Sequence, residues 1–275
     1  MMPSFTDLEA DARQGKEIVA IAKAAGVKHV IHSSAVAVNK PEFIARIDPN
    51  SLLVKLWRNK QVVEEATCTA DFETYTILRP ASFNSNWLVP KVAMWGDFPQ
   101  TGVFTTALRP DTIVANLDEK DFAAFVTEIF NNPSKFNGMD TEFASEPLKF
   151  EELLEVLSEA AGRKIKPNYL SEEEIQEGMK QNPFLAGQYL GRDMFKLIDM
   201  DKIRNFGIPL HTLKEYLARE KEAVALPTTT SPNRDMALVS LWQCAVIFEA
   251  LLAHSHVSVS GRELSFHVDF HIDEH

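Results

Sequence analysis

Ala24-Ala25-Gly26-Val27-Lys28-His29-Val30-Ile31-His32-Ser33-Ser34 joins the end of a helix, a glycine stop and a strand, and so sets the architecture of the chain. Ahead of it, apolar residues recur at Leu8, Ala12, Ile18, Val19, Ala22 and Ala25, the spacing of one face of an α-helix. Thr6 and Glu9 stand in capping-box spacing at the start of that helix. Gly26 ends it, because glycine reaches the left-handed conformation of a helix terminus without a steric penalty. Val27 to Ile31 then reads as a short buried strand that ends in Ser33-Ser34. A helix feeding a buried strand through a short link is the unit of a parallel sheet, in which neighbouring strands need a crossover between them.

The pattern continues downstream. Pro49-Asn50-Ser51 opens a second helix that runs to about Ala70. Tyr75-Thr76-Ile77-Leu78 is the next strand, ending at Arg79-Pro80, where proline stops the ladder. Phe83 to Trp95 reads as a loop with a short helix over a pocket, its Trp87, Met94, Trp95 and Phe98 either lining that pocket or forming core. Asp118 caps a helix over Phe122 to Phe130, which Asn131-Asn132-Pro133 ends. A strand at Glu142 to Ala144, a helix from Lys149 to Ala161 stopped by Gly162, and a strand at Ile165 to Tyr169 follow. Ser171 with Glu174 and Thr212 with Glu215 form two further capping boxes, and Pro183 and Gly207-Ile208-Pro209 break the helices between them. Pro227 to Pro232 is a linker, and residues 233–275 differ in character from everything before.

Composition narrows the function classes. The 275 residues carry a formal net charge of −11 with no basic cluster, so direct binding to a phosphate backbone is not expected. Cys68 and Cys244 stand far apart, which gives neither a disulfide framework nor a zinc motif and points to a reducing compartment, cytoplasmic or nuclear. The first residues hold acids where a secretory leader needs bases and an apolar run. Met236 to Ala253 is mostly apolar but short for a membrane span and holds Glu249, so no membrane association is expected.

A set of ordered motifs then resembles the NmrA-like family, atypical relatives of the short-chain dehydrogenases. It comprises Asp11-Ala12-Arg13-Gln14-Gly15-Lys16, the stretch from Ala24 to Val30 with Ser33-Ser34, Lys60 and Glu64, Thr76 to Pro80, Asp121 with Phe125-Val126, Phe136-Asn137-Gly138, and Ile203 to Pro209. The resemblance implies an α/β fold with an incomplete Rossmann-like parallel sheet and a smaller, mainly helical C-terminal lobe. Residues 1–146 would be the partial NAD(P)-binding domain, 147–226 the substrate or regulatory lobe, and 227–275 the linker and unrelated tail. Family members open on a glycine-rich turn that lets backbone approach a pyrophosphate at a helix N-terminus. The eleven glycines here include no such cluster, so the chain is expected to be truncated at its N-terminus, entering the fold after its fourth strand.

The resemblance implies NADP or NAD as cofactor and assigns candidate residues. Lys60 is the catalytic candidate, a lysine that looks towards the nicotinamide ribose; read from the residues alone, it is a solvated helix lysine beside Lys55 and Arg58. Ordinary short-chain dehydrogenases carry a proton-donating tyrosine four residues earlier, and here that position is Leu56. Ser33 and Ser34 close a strand at the end where open α/β sheets bind ligands, or else serve as turn formers. Arg79, Pro80 and Ala81 end the next strand and face the same crevice. Ser82, Phe83, Asn84 and Ser85 continue into the region that the resemblance places against nicotinamide, or form a loop with an Asx turn. Arg13 is either a base near cofactor phosphates or an exposed helix arginine, and Glu64 reads as helix surface or a salt-bridge partner.

Two functions follow. One is an NAD(P)-binding protein, either an NAD(P)H-dependent reductase of a small molecule or a redox-sensing regulator. The other is a non-catalytic interaction module that no longer binds cofactor, with a protein partner or a second copy covering an exposed sheet. In the tail, His267, Asp269, His271, Asp273 and His275 alternate with apolar residues. A strand with one polar face explains that alternation without a metal.

Overall fold

The computed structural model describes residues 8–224. Thr6, the linker, the apolar run from Met236 and the histidine–aspartate alternation lie outside the described residues.

The helix–glycine–strand unit is present. Helix α1 (Leu8–Ala24) is followed by Gly26 at φ +78° and by strand β1 (His29–Ser33). The strand begins two residues later than hydrophobicity suggests, because its register is set by pairing His29 with Thr74 and Ser33 with Leu78. One turn, α2 (Pro41–Ile44), leads to α3 (Leu52–Thr69), whose N-cap Ser51 accepts from the Val54 N–H at 3.4 Å. Strand β2 (Thr74–Pro80) follows, then β3 (Ser82–Phe83) and two 3-10 turns at Asn84–Trp87 and Lys91–Trp95.

Helix α4 (Phe98–Thr101), β4 (Val103–Thr106) and β5 (Ile113–Leu117) lead to α5 (Glu119–Asn131), capped by Asp118, whose Oδ1 accepts from the Lys120 N–H. The remainder is β6 (Met139–Phe143), β7 (Glu146–Lys149), α6 (Phe150–Ala161), β8 (Lys166–Tyr169), α7 (Glu172–Gly178), α8 (Pro183–Met194), α9 (Met200–Arg204) and α10 (Leu213–Arg219). The capping boxes at Ser171 and Thr212 form as the sequence predicts, and Gly162 closes α6 in the left-handed region.

The central sheet is parallel in the order β1-β2-β6, so the crossovers lie outside its plane, as helix-linked strands require. Side chains alternate between its faces. Val30 packs with Val19 of α1 and Val63 of α3 on one face. Ile31, Leu78 and Phe143 meet Phe122, Phe125 and Ile129 of α5 on the other. Phe125 is fully buried and stacks on Phe143 at 4.6 Å and on Phe206 at 4.5 Å. Truncating it to alanine would cost about 3–5 kcal/mol.

Beside this sheet, β3 pairs in parallel with β5, β5 pairs antiparallel with β7, and β4 pairs in parallel with β8. Three of these strands, β4, β5 and β7, carry no clear signal in the sequence. Pro147 sits inside β7, which is tolerated because β7 is an edge strand. A second apolar cluster gathers Trp87, Phe98, Phe104, Phe150, Leu153 and Leu213. The segment after α7 divides between the two clusters: Ala186, Leu190 and Ile203 join the first, Leu213 to Val224 the second.

Candidate functional site at the strand ends

The carboxyl ends of β1, β2 and β6 lie side by side. The Ser34 N–H donates to the Leu78 carbonyl at 2.7 Å, and the Ala81 N–H donates to the Phe143 carbonyl at 2.9 Å. Ser33 is half-buried as the last residue of β1, while Ser34 is buried and its Oγ has no hydrogen-bond partner among the described residues. The chain then turns through Ala37, a buried residue at φ +66°. A left-handed alanine costs of order 1 kcal/mol, and such strain collects at ligand-facing turns. Gln61 of α3 donates to the Val38 carbonyl at 2.5 Å, so the helix that carries Lys60 is tied to this turn.

Lys60 is half-buried, and its charge acts on His32 of β1. Burial first, and then the Lys60 ammonium, push the His32 pKa down to about 4. His32 is therefore neutral at pH 7, and its Nε2 has no partner among the described residues. The structure thus brings Lys60 together with β1. Leu56, one helical turn earlier, offers no proton.

Pro80 is buried and closes β2, still in register with Phe143 of β6. Ser82 pairs with Asn116 and Phe83 with Leu117, which carries the chain over the end of the sheet. Asn84 is fully buried, and neither atom of its amide has a partner among the described residues. An unsatisfied buried amide costs about 1–3 kcal/mol, so a ligand or water that completes its bonds is stabilised there. The Ser85 N–H donates to Glu119 Oε1 at 3.1 Å, and Ser85 Oγ accepts from Lys91 Nζ at 2.8 Å.

Other candidates fall elsewhere. Arg13 is exposed on α1, its Nε 3.8 Å from Glu17, which is the surface-arginine alternative. Arg79 does not face the crevice. Its side chain is 1% exposed and turns to the α3 side, where Nε and Nη2 bond Glu64 at 3.0 and 2.6 Å and the guanidinium also pairs with Asp140. Burial works against its charge, but the Glu64 and Asp140 carboxylates outweigh that and raise its pKa. Trp87 and Trp95 stack at 5.4 Å as part of the second core cluster.

Lys91 is the residue that sequence reasoning missed. It follows Pro90 in an aromatic stretch, and nothing in its spacing marks it as buried, yet it is 7% exposed. Burial lowers its pKa, with the Glu119 carboxylate acting in the opposite sense.

Asp118, Asp121 and His211 form the one grouping of metal-type ligands among the described residues. Their atoms are already engaged: Asp121 accepts from the His211 N–H at 2.8 Å and meets its Nδ1 at 2.5 Å, and Asp118 accepts from Arg219 Nη2 at 3.0 Å. The set ties α10 and the chain before it to the start of α5. A separate cleft of about 270 Å³ lies between the start of β5 and the end of α8, lined by Arg109, Arg192 and Lys196, each of which is paired with Glu172 or Asp193.

Known proteins share this architecture. The oxidoreductase FrzB of Cladobotryum sp, which contains an NmrA-like domain, is 30% identical over 163 residues, 54% of this chain and 47% of that protein. The oxidoreductase malD of Malbranchea aurantiaca is 27% identical over 159 residues, 54% of this chain and 46% of that protein. The match therefore spans about half the length of these curated relatives.

Among solved structures, the NADPH complex of the quinone oxidoreductase QOR2 from Escherichia coli aligns with a TM-score of 0.57 at 23% identity, covering 76% of this chain and 71% of that one. Triphenylmethane reductase of Citrobacter sp., complexed with NADP(H), aligns at 0.56 and 20% identity, covering 79% and 73%. The negative transcriptional regulator NmrA aligns at 0.54 and 19%, covering 77% and 71%. At these identities the likeness is one of fold. Residues 1–209 match the NmrA-like family. With that match over well more than half its length, and with the fold and strand-end arrangement described, the chain belongs to the NmrA-like family.

Proposed function

We propose that the strand-end crevice holds the nicotinamide half of NADP or NAD and that the chain acts as an NAD(P)H-dependent reductase of a small molecule. The observation that carries this reading is the unpartnered, fully buried amide of Asn84, on the same sheet end as the buried Ser34 hydroxyl and the Lys60-bearing helix. The amide NH2 and carbonyl of Asn84 match a carboxamide, and a hydroxyl and an ammonium suit ribose oxygens. The group, when bound, supplies the hydride. Lys60 keeps a cation beside β1, and Leu56 removes the usual side-chain acid, so a substrate proton would come from Lys60 or water. The pyrophosphate half finds no glycine-rich turn in the sequence. Calorimetric titration of NADPH and NADH tests the reading: a binding isotherm weakened by Asn84→Leu and Lys60→Ala supports it, and absence of heat and of competition between the two nucleotides overturns it. A redox-sensing regulator would give the same isotherm without turnover.

A second reading, an interaction module, is favoured by a different observation. Among the described residues β1 is an edge strand, and Ile18, Ile21 and Val27 nearby are 55%, 67% and 40% exposed. An unpaired edge beside an apolar patch invites pairing with a second copy or another protein. A mass that rises with concentration in sedimentation, and falls back in Ile18→Glu/Ile21→Glu, supports it; a concentration-independent monomer mass counts against it.

A further inference from the structure

Buried hydrogen-bonding groups without partners among the described residues also collect in the segment joined to Lys91. Its ammonium has three donors; one goes to Ser85 Oγ at 2.8 Å, and it forms no ion pair among the described residues. A buried ammonium without a paired anion is costly, so its retention calls for a reason beyond stability. Ser85 also donates its backbone N–H to Glu119 Oε1, while Glu119 Oε2 is buried with no partner among the described residues. One residue therefore holds a cationic donor through its side chain and an anionic acceptor through its backbone, so unused donors and an unused acceptor lie close together. Asn86 Oδ1 and Trp87 Nε1, on the same 3-10 turn as Ser85, are likewise buried and without partners among the described residues.

We propose that Lys91 and Glu119, bridged by Ser85, read a ligand edge that presents a hydrogen-bond acceptor next to a donor. Lys91 donates to a carbonyl oxygen, and Glu119 Oε2 accepts from the adjacent N–H or O–H. Primary amides, lactams and hydroxyketones carry that edge; a plain ketone, a tertiary amide and a carboxylate do not, the last because Glu119 repels it. Calling this ligand the substrate rests on the reductase reading; the subsite itself does not.

The test uses saturation-transfer NMR on the full chain without nucleotide. Three probes are compared: 2-pyrrolidinone, with adjacent C=O and N–H, N-methyl-2-pyrrolidinone, which lacks the donor, and cyclopentanone. An unmatched buried group weakens binding by about tenfold. The expected result is saturation of 2-pyrrolidinone, about tenfold weaker binding of the other two, and loss of that preference in Lys91→Met and Glu119→Gln. Equal response to the three probes, no response to 2-pyrrolidinone, or a preference that survives both variants overturns the proposal. The discrimination by the unsubstituted chain needs no variant, so a variant that misfolds does not shield the idea. A failed NADPH titration leaves the lactam result standing, and the converse also holds.

Discussion

Arg79 and Lys91 are both buried cations, 1% and 7% exposed, and the structure treats them in opposite ways. Arg79 lies inside the central sheet's α3 side, where Glu64 takes it bidentately, Asp140 adds a second carboxylate and Glu142 stands at 3.9 Å. Lys91 opens the second 3-10 turn and has a single hydroxyl partner. Around Arg79 each guanidinium nitrogen bonds a carboxylate oxygen, and the network ties α3 to β2 and β6. Around Lys91, donors and acceptors are left over, and a ligand placed there recovers what the fold leaves unpaired.

That contrast can be broken most severely at Arg79. Arg79→Met leaves the Glu64 and Asp140 carboxylates without their cation and should lower unfolding free energy by about 3–5 kcal/mol in urea denaturation. A loss below about 1 kcal/mol would show that the network is not structural. Lys91→Met should behave in the other direction: removing a poorly paired buried ammonium leaves stability unchanged or raises it by up to about 1 kcal/mol. A large loss in the same urea experiment would make Lys91 part of the framework rather than of a site.

A smaller, pH-dependent effect belongs to His211. Its hydrogen bond to Asp121, helped by the Asp118 and Glu215 carboxylates, raises its pKa in the folded chain. A raised folded value means that folding favours the protonated form. The contribution is therefore complete below the unfolded value of about 6.5 and fades as pH rises through the raised folded value. The Tm gap between the native chain and His211→Gln should be widest at low pH and close at high pH; a gap independent of pH would refute the assignment. Least affected should be Arg13→Ala, since an exposed pair with Glu17 contributes within about 0.5 kcal/mol. An NADPH affinity that fell in that variant would restore Arg13 to a phosphate role.

Much of this was legible in one dimension. The helix ending at Gly26, the Ser51 and Asp118 caps, the boxes at Ser171 and Thr212 and the Gly162 stop all rest on contacts within a few residues, so the local sequence carries their signal. Strands β4, β5 and β7 were not, because they are four or five residues long and form by pairing with partners distant in sequence, as β4 does with β8. In the candidate site, Ser34 was named from its place at a strand end, and Lys60 and Asn84 from the family resemblance. Arg79 was misplaced, because strand alternation sends its side chain to the α3 face, and which face holds the matching acids depends on how α3 packs.

The sequence by itself determined the class of fold and most of its punctuation, since periodicity, caps and glycine stops are set by local sterics and hydrogen bonding. It also determined that Leu56 offers no proton and that no glycine-rich turn is present. Only the tertiary structure decided which charges are matched. Glu64 and Asp140 meet Arg79 across 15 and 61 residues of chain, while Lys91 meets Ser85 six residues away and no acid within ion-pair distance among the described residues. Burial and pairing are properties of neighbours in space, and a polar side chain becomes a cost or an opportunity only once those neighbours are assembled.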